Sequence, residues 1–256
     1  MTPFLLLAFL IGLCVGSFLN VVIYRLPRGL SIVAPRSFCP GCGRPLRWFE
    51  NIPLLSFFWL RGRCRTCRKP ISWRYPLVEG LCGILAVYFL KSYGISIQAA
   101  IPYLLALLLI AASFIDLEHG IIPDQITLGG LLAGLGLSPF SPFLSPREAL
   151  VGAFCGAGAF YLLGAYYFWI RGREGLGEGD YKLLALIGGF LGPLNLIPIV
   201  FLASVWGLCI ALLLALVRKE RLSGGKSLPF GPFLSLGAFT LLIYPKIATF
   251  LFPPIY

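Results

Sequence analysis

The sequence contains little charge. Only 12% of its 256 residues are Asp, Glu, Lys or Arg, whereas 58% are hydrophobic, and the mean hydropathy is +0.89. Soluble domains usually carry about 25% charged residues. The composition therefore excludes an ordinary soluble domain and indicates a polytopic membrane protein.

Acidic residues are especially scarce. The chain has 10 Asp and Glu against 21 Lys and Arg, which gives a formal net charge of +11. In a soluble protein this excess would suggest a nucleic-acid partner, but in a membrane protein it is the signature of basic cytoplasmic loops. We therefore expect membrane lipid and no nucleic acid as a partner. The few acids become candidate functional residues, because ionisable groups at membrane depth are costly.

The first apolar run, residues 3–24, lacks the features of a cleaved leader. No basic residue precedes it and no small-residue cleavage site follows it. It is long enough to cross a bilayer, which takes about 20 residues, so we predict a retained span and not a signal peptide. The next segment carries eleven Arg or Lys between Arg25 and Arg74 and a single acid, Glu50. By the positive-inside rule this segment is cytoplasmic and the N-terminus lies outside.

Further apolar segments predict an all-α integral membrane fold with about eight transmembrane helices. This topology puts eighteen of the twenty-one basic residues on the cytoplasmic side, as the positive-inside rule requires. The expected organisation is a first transmembrane helix (1–24), a basic cytoplasmic domain with four Cys (25–76) and a transmembrane core (77–256). The predicted spans are residues 3–24, 77–90, 99–115, 125–140, 149–170, 181–191, 194–217 and 230–252.

Four cysteines form two C-x-x-C pairs in the basic segment. Cys39 and Cys42 flank Pro40-Gly41, Cys64 and Cys67 form the second pair, and 21 residues lie between the pairs. Four thiolates at this spacing suit a tetrahedral zinc ion with no open position, and Gly residues near the first pair favour a tight turn. Two disulfides are the competing interpretation, but a reducing cytoplasm disfavours them. We predict structural zinc in a small zinc-ribbon-like domain between the first two spans.

The other cysteines are interpreted as small packing residues inside spans: Cys14, Cys82, Cys155 and Cys209.

Two aspartates stand where apolar runs meet short loops. Asp116 ends one run, and Asp180 follows Gly177-Glu178-Gly179 and precedes another. Two predicted spans separate them, so both carboxylates should lie at the same cytoplasmic face. Two carboxylates brought together cannot both ionise easily, so one can act as general base to a water and the other as general acid to a carbonyl. This is aspartyl-protease chemistry. Asp124, in contrast, is interpreted as a helix N-cap.

These motifs resemble those of type IV prepilin peptidases, membrane aspartyl proteases of the Gly-x-Gly-Asp type. The resemblance extends over nearly the whole chain. Its motifs are Gly16-Ser17-Phe18-Leu19-Asn20, Glu50-Asn51-Ile52-Pro53-Leu54-Leu55-Ser56, Ile71-Ser72-Trp73-Arg74-Tyr75-Pro76-Leu77-Val78-Glu79, Asp116 with Pro123-Asp124, Gly177-Glu178-Gly179-Asp180-Tyr181-Lys182, and Pro229-Phe230-Gly231-Pro232-Phe233.

The resemblance implies a multi-pass enzyme of the bacterial inner membrane whose active site faces the cytoplasm. Such an enzyme cuts the short basic leader from type IV prepilins and type II secretion pseudopilins, and Asp116 and Asp180 would be its catalytic pair. The family also methylates the new N-terminus with S-adenosylmethionine, which makes a bifunctional enzyme our expectation. No nucleotide-binding fingerprint is visible in the glycine-rich loop before Asp180, and the residues that would bind the methyl donor are not identified.

Two other functions stay open at this point. A non-enzymatic transporter or assembly scaffold could use buried acids for proton coupling or helix packing. An inverted repeat with broken helices would favour a transporter, and none is visible in the sequence. A Gly-x-Gly-Asp protease that cuts within the bilayer is chemically close, but the basic four-cysteine segment disfavours it.

Overall fold

A computed structural model describes residues 2–172, 177–218 and 229–247. The described residues form nine α-helices, joined by loops and four short 3-10 turns, and they contain no β-strand beyond two isolated bridges. The helices are α1 (Thr2–Arg25), α2 (Leu55–Trp59), α3 (Arg74–Tyr93), α4 (Ile97–His119), α5 (Asp124–Leu137), α6 (Pro146–Arg171), α7 (Glu178–Leu191), α8 (Leu196–Arg218) and α9 (Gly231–Ile243). The all-α prediction is confirmed.

Five helices are long and apolar enough to cross a membrane: α1, α3, α4, α6 and α8. Three others, α5, α7 and α9, have 14, 14 and 13 residues and are shorter than the roughly 20 residues that a straight crossing needs. Each of the eight predicted spans coincides with one of these helices. The last of them, α9, ends at Ile243, before the end of the predicted span 230–252, and residues 248–252 of that span lie outside the described residues. The chain is a multi-pass membrane protein.

The chain divides into two compact units, Met1–Leu107 and Leu108–Tyr256, with the boundary inside α4. In the first unit α1 packs directly on α3. A Cβ at Gly12 would lie 2.7 Å from the carbonyl oxygen of Cys82, and one at Gly16 would lie 2.7 Å from Cα of Glu79. Such close backbone approach through glycine is a usual way to pack helices in lipid, where apolar burial between helices contributes little.

A buried arginine organises the start of the segment between α1 and α3. Arg25, the last residue of α1, is only 3% exposed. Its guanidinium donates hydrogen bonds to the carbonyl oxygens of Ser31 (2.9 Å), Pro35 (2.8 Å) and Arg36 (3.2 Å). These three hydrogen bonds replace the hydrogen bonds to water that the guanidinium loses when it is buried. The first basic residue of the loop is therefore a structural anchor as well as a topology signal.

Two buried carboxylates anchor the rest of this segment. Glu50 accepts hydrogen bonds from Arg44 Nη2 and from the backbone N–H of Arg47, both at 2.8 Å, and its pKa is lowered chiefly by the Arg44 hydrogen bond. Glu79 of α3 accepts a 2.8 Å hydrogen bond from the N–H of Leu54, a residue held at φ 59°. The single acid of the basic loop thus has a packing role, because it satisfies donors that are buried with it.

In the second unit, α7 is the central helix and packs against α5, α6, α8 and α9. Nine consecutive residues of α7, 183–191, are buried. Glycines bring α6 and α7 into backbone contact: a Cβ at Gly152 would collide with the carbonyl of Gly188, and one at Gly156 with the carbonyl of Leu184. This packing fixes the position of the first turn of α7, where Asp180 lies.

The interpretation of the four cysteines outside the C-x-x-C pairs is correct for one of them. Cys82, a residue of α3, is buried, whereas Cys14, Cys155 and Cys209 are exposed on the surfaces of their helices. Helix surfaces that face lipid are in an apolar environment, so a small apolar Cys side chain can lie there without packing against another helix.

Candidate active site and metal centre

Asp116 lies on the last turn of α4 and is 6% exposed. The helix ends three residues later, because Gly120 adopts a left-handed conformation with φ 67° and its N–H donates to the carbonyl oxygen of Asp116 at 2.8 Å. A glycine at this position is the usual helix stop. The Asp116 carboxylate therefore lies close to the end of the helix and is buried, whereas the side chain of His119, on the same turn, is exposed.

Asp180 lies in the first turn of α7, before its apolar part, and is 9% exposed. The glycine-rich stretch provides the helix start, since Gly177 is the N-cap and its carbonyl accepts a 3.0 Å hydrogen bond from the N–H of Asp180. Burial and then the charge of Asp116 raise the pKa of Asp180 to about 6, against a lowering by a backbone hydrogen bond from Gly177. The two carboxylates are therefore close enough to interact electrostatically.

Ile122 is the side chain that packs between the segments carrying this site. It belongs to the short connection between α4 and α5 and is buried. A Cβ at Gly179 would lie 3.0 Å from Ile122 Cβ, and a Cβ at Gly231 would lie 2.8 Å from Ile122 Cδ1. Both glycines thus allow the backbones of α7 and α9 to approach this one isoleucine. The site is assembled from the end of α4 and the beginnings of α7 and α9.

The first residue of α9 makes a direct contact with the site. The N–H of Gly231 donates a hydrogen bond to Oδ2 of Asp116 at 3.2 Å, and the bond is buried. Backbone N–H groups at helix starts lack partners inside their helix and favour negative charge. Asp116 thus accepts a backbone hydrogen bond at the start of α9, as Asp180 does from Gly177 at the start of α7.

A lysine links α7 to α5 beside the aspartates. Lys182 Nζ lies 2.8 Å from Asp124 Oδ1 and 2.6 Å from Glu178 Oε1. The interpretation of Asp124 as an N-cap is wrong: Pro123 occupies the cap position and Asp124 is the first helical residue. No side chain caps the start of α5, and the Asp124 carboxylate instead accepts a hydrogen bond from Lys182.

The four predicted metal ligands come together in the first unit. The Sγ atoms of Cys39, Cys42, Cys64 and Cys67 all lie within 4.8 Å of one another, and none of these cysteines forms a disulfide. Sulfur atoms around one tetrahedral zinc ion are separated by comparable distances, since each Zn–S bond is about 2.3 Å. The group can hold a metal ion, and its donor set fits zinc.

The backbone around each pair has the same turn. Cys39 N–H donates to Arg44 O and Cys64 N–H to Lys69 O, both at 2.9 Å. Isolated bridges join Phe38 to Pro45 and Arg63 to Pro70. Backbone hydrogen bonds at Cys67 and Thr66 lower the pKa of the Cys64 thiol to about 6, whereas burial raises the pKa of the Cys39 thiol to about 11. Of these two thiols, Cys64 more readily forms the thiolate that binds metal. Each pair is a compact knuckle that points its two sulfurs toward the other pair.

Several residues of these sites were not identified as such from the sequence. Ile122 and Gly231 contribute to the aspartate site, but their contacts join parts of the chain that are distant in sequence. Lys182 belongs to the motif that ends the glycine-rich stretch, but its contact with Asp124 was not predicted. Gly231 lies in the stretch Pro229 to Phe233 that carried part of the family resemblance, which is the one signal that could have drawn attention to it. Its hydrogen bond to Asp116 spans 115 residues of sequence.

Together, the fold and the sites define a multi-pass membrane protein with a buried pair of aspartates and a four-cysteine group able to hold a metal ion. Two protein families match the chain. The bacterial peptidase A24 N-terminal domain matches residues 10–93, and the type IV leader peptidase family matches residues 103–212.

Curated relatives extend the similarity to almost the full chain. The prepilin leader peptidase/N-methyltransferase of Aeromonas hydrophila is 38% identical over 93% of this chain and 90% of its own length. The protein of the same name from Stutzerimonas stutzeri is 37% identical over 94% and 91%. That of Myxococcus xanthus is 45% identical over 83% of this chain, and the chain spans 64% of its length. No solved structure matches. This chain belongs to the type IV leader peptidase family.

Proposed function

We propose that this chain is a prepilin leader peptidase and N-methyltransferase of the bacterial inner membrane. The observation that carries the proposal is the buried pair Asp116 and Asp180, which lie at the end of α4 and in the first turn of α7, in a chain of this family. The relatives named above carry both activities in their names. The substrates would be type IV prepilins and type II secretion pseudopilins with a short basic leader.

The proposed chemistry of cleavage divides the two proton transfers between the aspartates. Asp116, which accepts from the Gly231 N–H, takes a proton from the attacking water. Asp180, whose pKa is raised to about 6, donates a proton to the oxygen of the scissile carbonyl. Water oxygen adds to the carbonyl carbon to give a tetrahedral adduct. The C–N bond then breaks as Asp116 gives its proton to the leaving nitrogen and Asp180 takes back a proton from a hydroxyl of the adduct. The pair titrates as a unit.

The acidic rim of the site suits a basic leader. Glu178 and Asp124 are more than half exposed and flank the first turn of α7, next to Asp180. Their carboxylates share a single cation, Lys182, so the group keeps a net negative charge. Such a rim would attract a positively charged leader and help to orient it toward the aspartates.

The four-cysteine group would hold one structural zinc ion. With Cys39, Cys42, Cys64 and Cys67 as ligands, all four positions are filled by thiolate, which leaves no place for a reacting water. The ion would stabilise the segment 25–76, which we propose is a cytoplasmic domain. We assign the methyl transfer to this amino-terminal region, with S-adenosylmethionine as donor. The transmembrane part, 77–256, would then be the peptidase core that faces the cytoplasm with its aspartates.

The experiment that tests the proposal is cleavage of a purified prepilin by purified wild-type protein, Asp116→Asn and Asp180→Asn. We expect each variant to lose at least about 1,000-fold in cleavage rate, because each aspartate performs a proton transfer that the amide cannot. Methyl transfer to pilin that has already been cleaved should persist in both variants. That second readout shows that the variants are folded.

Glu148→Gln is the matched control, because Glu148 is an exposed carboxylate at the start of α6. It should cut prepilin within about twofold of wild type, as expected for a surface substitution. If wild type cleaves no prepilin, the peptidase proposal is wrong and a non-enzymatic membrane protein becomes the better explanation. If either Asn variant cuts at the wild-type rate, that residue is not part of the pair.

A further inference from the structure

We propose that Gly231 is a positioning residue that holds the Asp116 carboxylate in its working orientation. The inference rests on the proposed function of Asp116 and adds a residue outside both aspartate motifs. Gly231 does this in two ways: its backbone N–H binds Oδ2 of Asp116, and its missing side chain leaves the space that the carboxylate occupies.

The N–H of Gly231 is available because of the local sequence of α9. Pro232 has no N–H, and the N–H groups of Phe233 and Leu234 both donate to the carbonyl oxygen of Phe230, at 3.0 and 3.1 Å. Gly231 is thus the residue of this first turn whose donor is left for a partner outside the helix. It donates to Asp116 Oδ2 at 3.2 Å, and the partial positive charge of the helix start adds to the attraction.

The space around Gly231 has no room for a side chain unless the Asp116 carboxylate and the Ile122 side chain move. A Cβ there would lie 2.6 Å from Asp116 Oδ2, 3.4 Å from Asp116 Cγ and 2.8 Å from Ile122 Cδ1. The backbone itself does not require glycine, since Gly231 is helical and is absent from the described residues with positive φ. Alanine is also the better helix former. The reason for glycine at this position is therefore the carboxylate against which it packs.

Displacing the carboxylate should impair chemistry more than substrate binding. Misplacement of a catalytic group by about 1 Å can cost about 100-fold in rate. A Cβ at residue 231 cannot coexist with the present position of Oδ2, so the carboxylate has to move away from the N–H that orients it. Prepilin contacts elsewhere on the protein are unaffected by this change. The predicted signature is a fall in kcat with little change in KM.

The first test is prepilin cleavage by Gly231→Ala. We expect kcat to fall at least about 100-fold, with KM within about threefold and methyl transfer to cleaved pilin retained. Gly129→Ala on α5 is the matched control, because a Cβ at Gly129 meets nothing within 4 Å, and it should cut at the wild-type rate. If Gly231→Ala cleaves within a few-fold of wild type, the proposal is wrong.

A double variant separates positioning from simple crowding. Ile122→Val removes the Cδ1 atom that a Cβ at residue 231 would meet, but it leaves the collision with Asp116 Oδ2. In the Gly231→Ala background we therefore expect Ile122→Val to leave kcat low. Recovery of cleavage to near the wild-type rate would show that the isoleucine contact caused the loss, and it would overturn the positioning role.

A second measurement needs no change at Gly231 and no activity. Only Phe230 and Gly231 have an amide hydrogen in the stretch Pro229 to Pro232, and exchange of the Gly231 amide can be followed by itself by residue-resolved NMR. Asp116→Ala should speed exchange of the Gly231 amide at least about tenfold, because the amide loses a charge-assisted hydrogen bond. Asp124→Ala should not. Unchanged exchange in Asp116→Ala contradicts the contact, whether or not prepilin is cleaved.

Discussion

The metal centre and the aspartate site are built in opposite ways. The first and last of the four cysteines are 28 positions apart in sequence, and the cysteine that begins each pair is hydrogen-bonded to a residue no more than five positions away. The aspartate site joins the end of α4 to the starts of α7 and α9, and the Gly231–Asp116 hydrogen bond spans 115 residues. One site is local in the chain, whereas the other depends on helix packing.

This difference decides what stabilises each site. A knuckle can form its turn from nearby residues, and a bound ion then joins the two knuckles at little further cost in chain entropy. The aspartates instead require α7 to be seated against α5 and α6, through contacts such as Gly152 on Gly188. We therefore expect changes at one site to leave the chemistry of the other largely intact.

The largest effect should follow from removing a metal ligand. We expect Cys64→Ser to lose bound zinc, from about one ion per chain to none, because closed four-thiolate sites contribute folding free energy directly. Methyl transfer should be lost with it, while prepilin cleavage should stay within about tenfold of wild type. Elemental analysis of purified protein and the two activity assays measure these outcomes.

Cys209→Ser is the control for this experiment, since Cys209 is an exposed cysteine of α8. It should keep its zinc and both activities. A fall in cleavage by Cys64→Ser as deep as that of Asp180→Asn would contradict the independence of the two sites. Full zinc content in Cys64→Ser would instead remove that residue from the ligand set.

A smaller effect is expected from neutralising a carboxylate of the aspartate site. The pKa of Asp180 is about 6 against an ordinary 3.8, so between these values the folded protein keeps a proton that the unfolded chain releases. Stability then falls as pH rises through this window, and an uncharged Asn avoids the loss. We expect Asp180→Asn to be more stable than wild type at pH 8 by up to about 3 kcal/mol and nearly equal at pH 4.

Thermal unfolding in detergent at the two pH values measures this difference. Glu178→Gln is the comparison, because Glu178 lies on the same turn but is exposed and paired with Lys182. It should show no gain at pH 8. An Asp180→Asn protein that is less stable than wild type at pH 8 would mean that the buried charge is better compensated than its surroundings indicate.

The smallest effects should come from the knuckle turns. Gly43 and Arg68 occupy the same position in the two knuckles, with φ 70° and 58°. A left-handed backbone costs a residue with a side chain about 1 kcal/mol. We expect Gly43→Ala to weaken zinc binding about fivefold and Arg68→Gly to leave it unchanged or slightly tighter. Competition with a zinc chelator measures both, and equal weakening by the two changes would contradict the shared geometry.

Much of the architecture could be predicted from the sequence. Long apolar runs predicted all eight of the longer helices near their observed positions, because a backbone in lipid must satisfy its hydrogen bonds within each segment. The C-x-x-C pairs predicted the cysteine cluster, since both the ligands and their turns are local. Which of the shorter helices cross the membrane could not be settled in this way, as α5, α7 and α9 have only 13 or 14 residues.

Two acidic residues have roles that the sequence analysis did not predict, and in each case the reason is the partner of the carboxylate. Asp124 was expected to cap α5, but Pro123 takes the cap position and the carboxylate binds Lys182, which is 58 residues away. Glu50 was noted only as the lone acid of a basic loop, yet it is buried against Arg44. In both cases the carboxylate forms an ion pair with a basic residue that motifs and hydrophobic patterns do not identify.

The sequence by itself determined that this protein is helical, lies in a membrane, carries a four-cysteine cluster and belongs to a peptidase family. These properties follow from composition, spacing and short motifs. Only the tertiary structure decided how the aspartate site is built: Ile122 between two glycines, Lys182 between α5 and α7, and the Gly231 N–H on Asp116. Such contacts depend on which helix ends meet, and this is set by side-chain and glycine packing over the whole second unit.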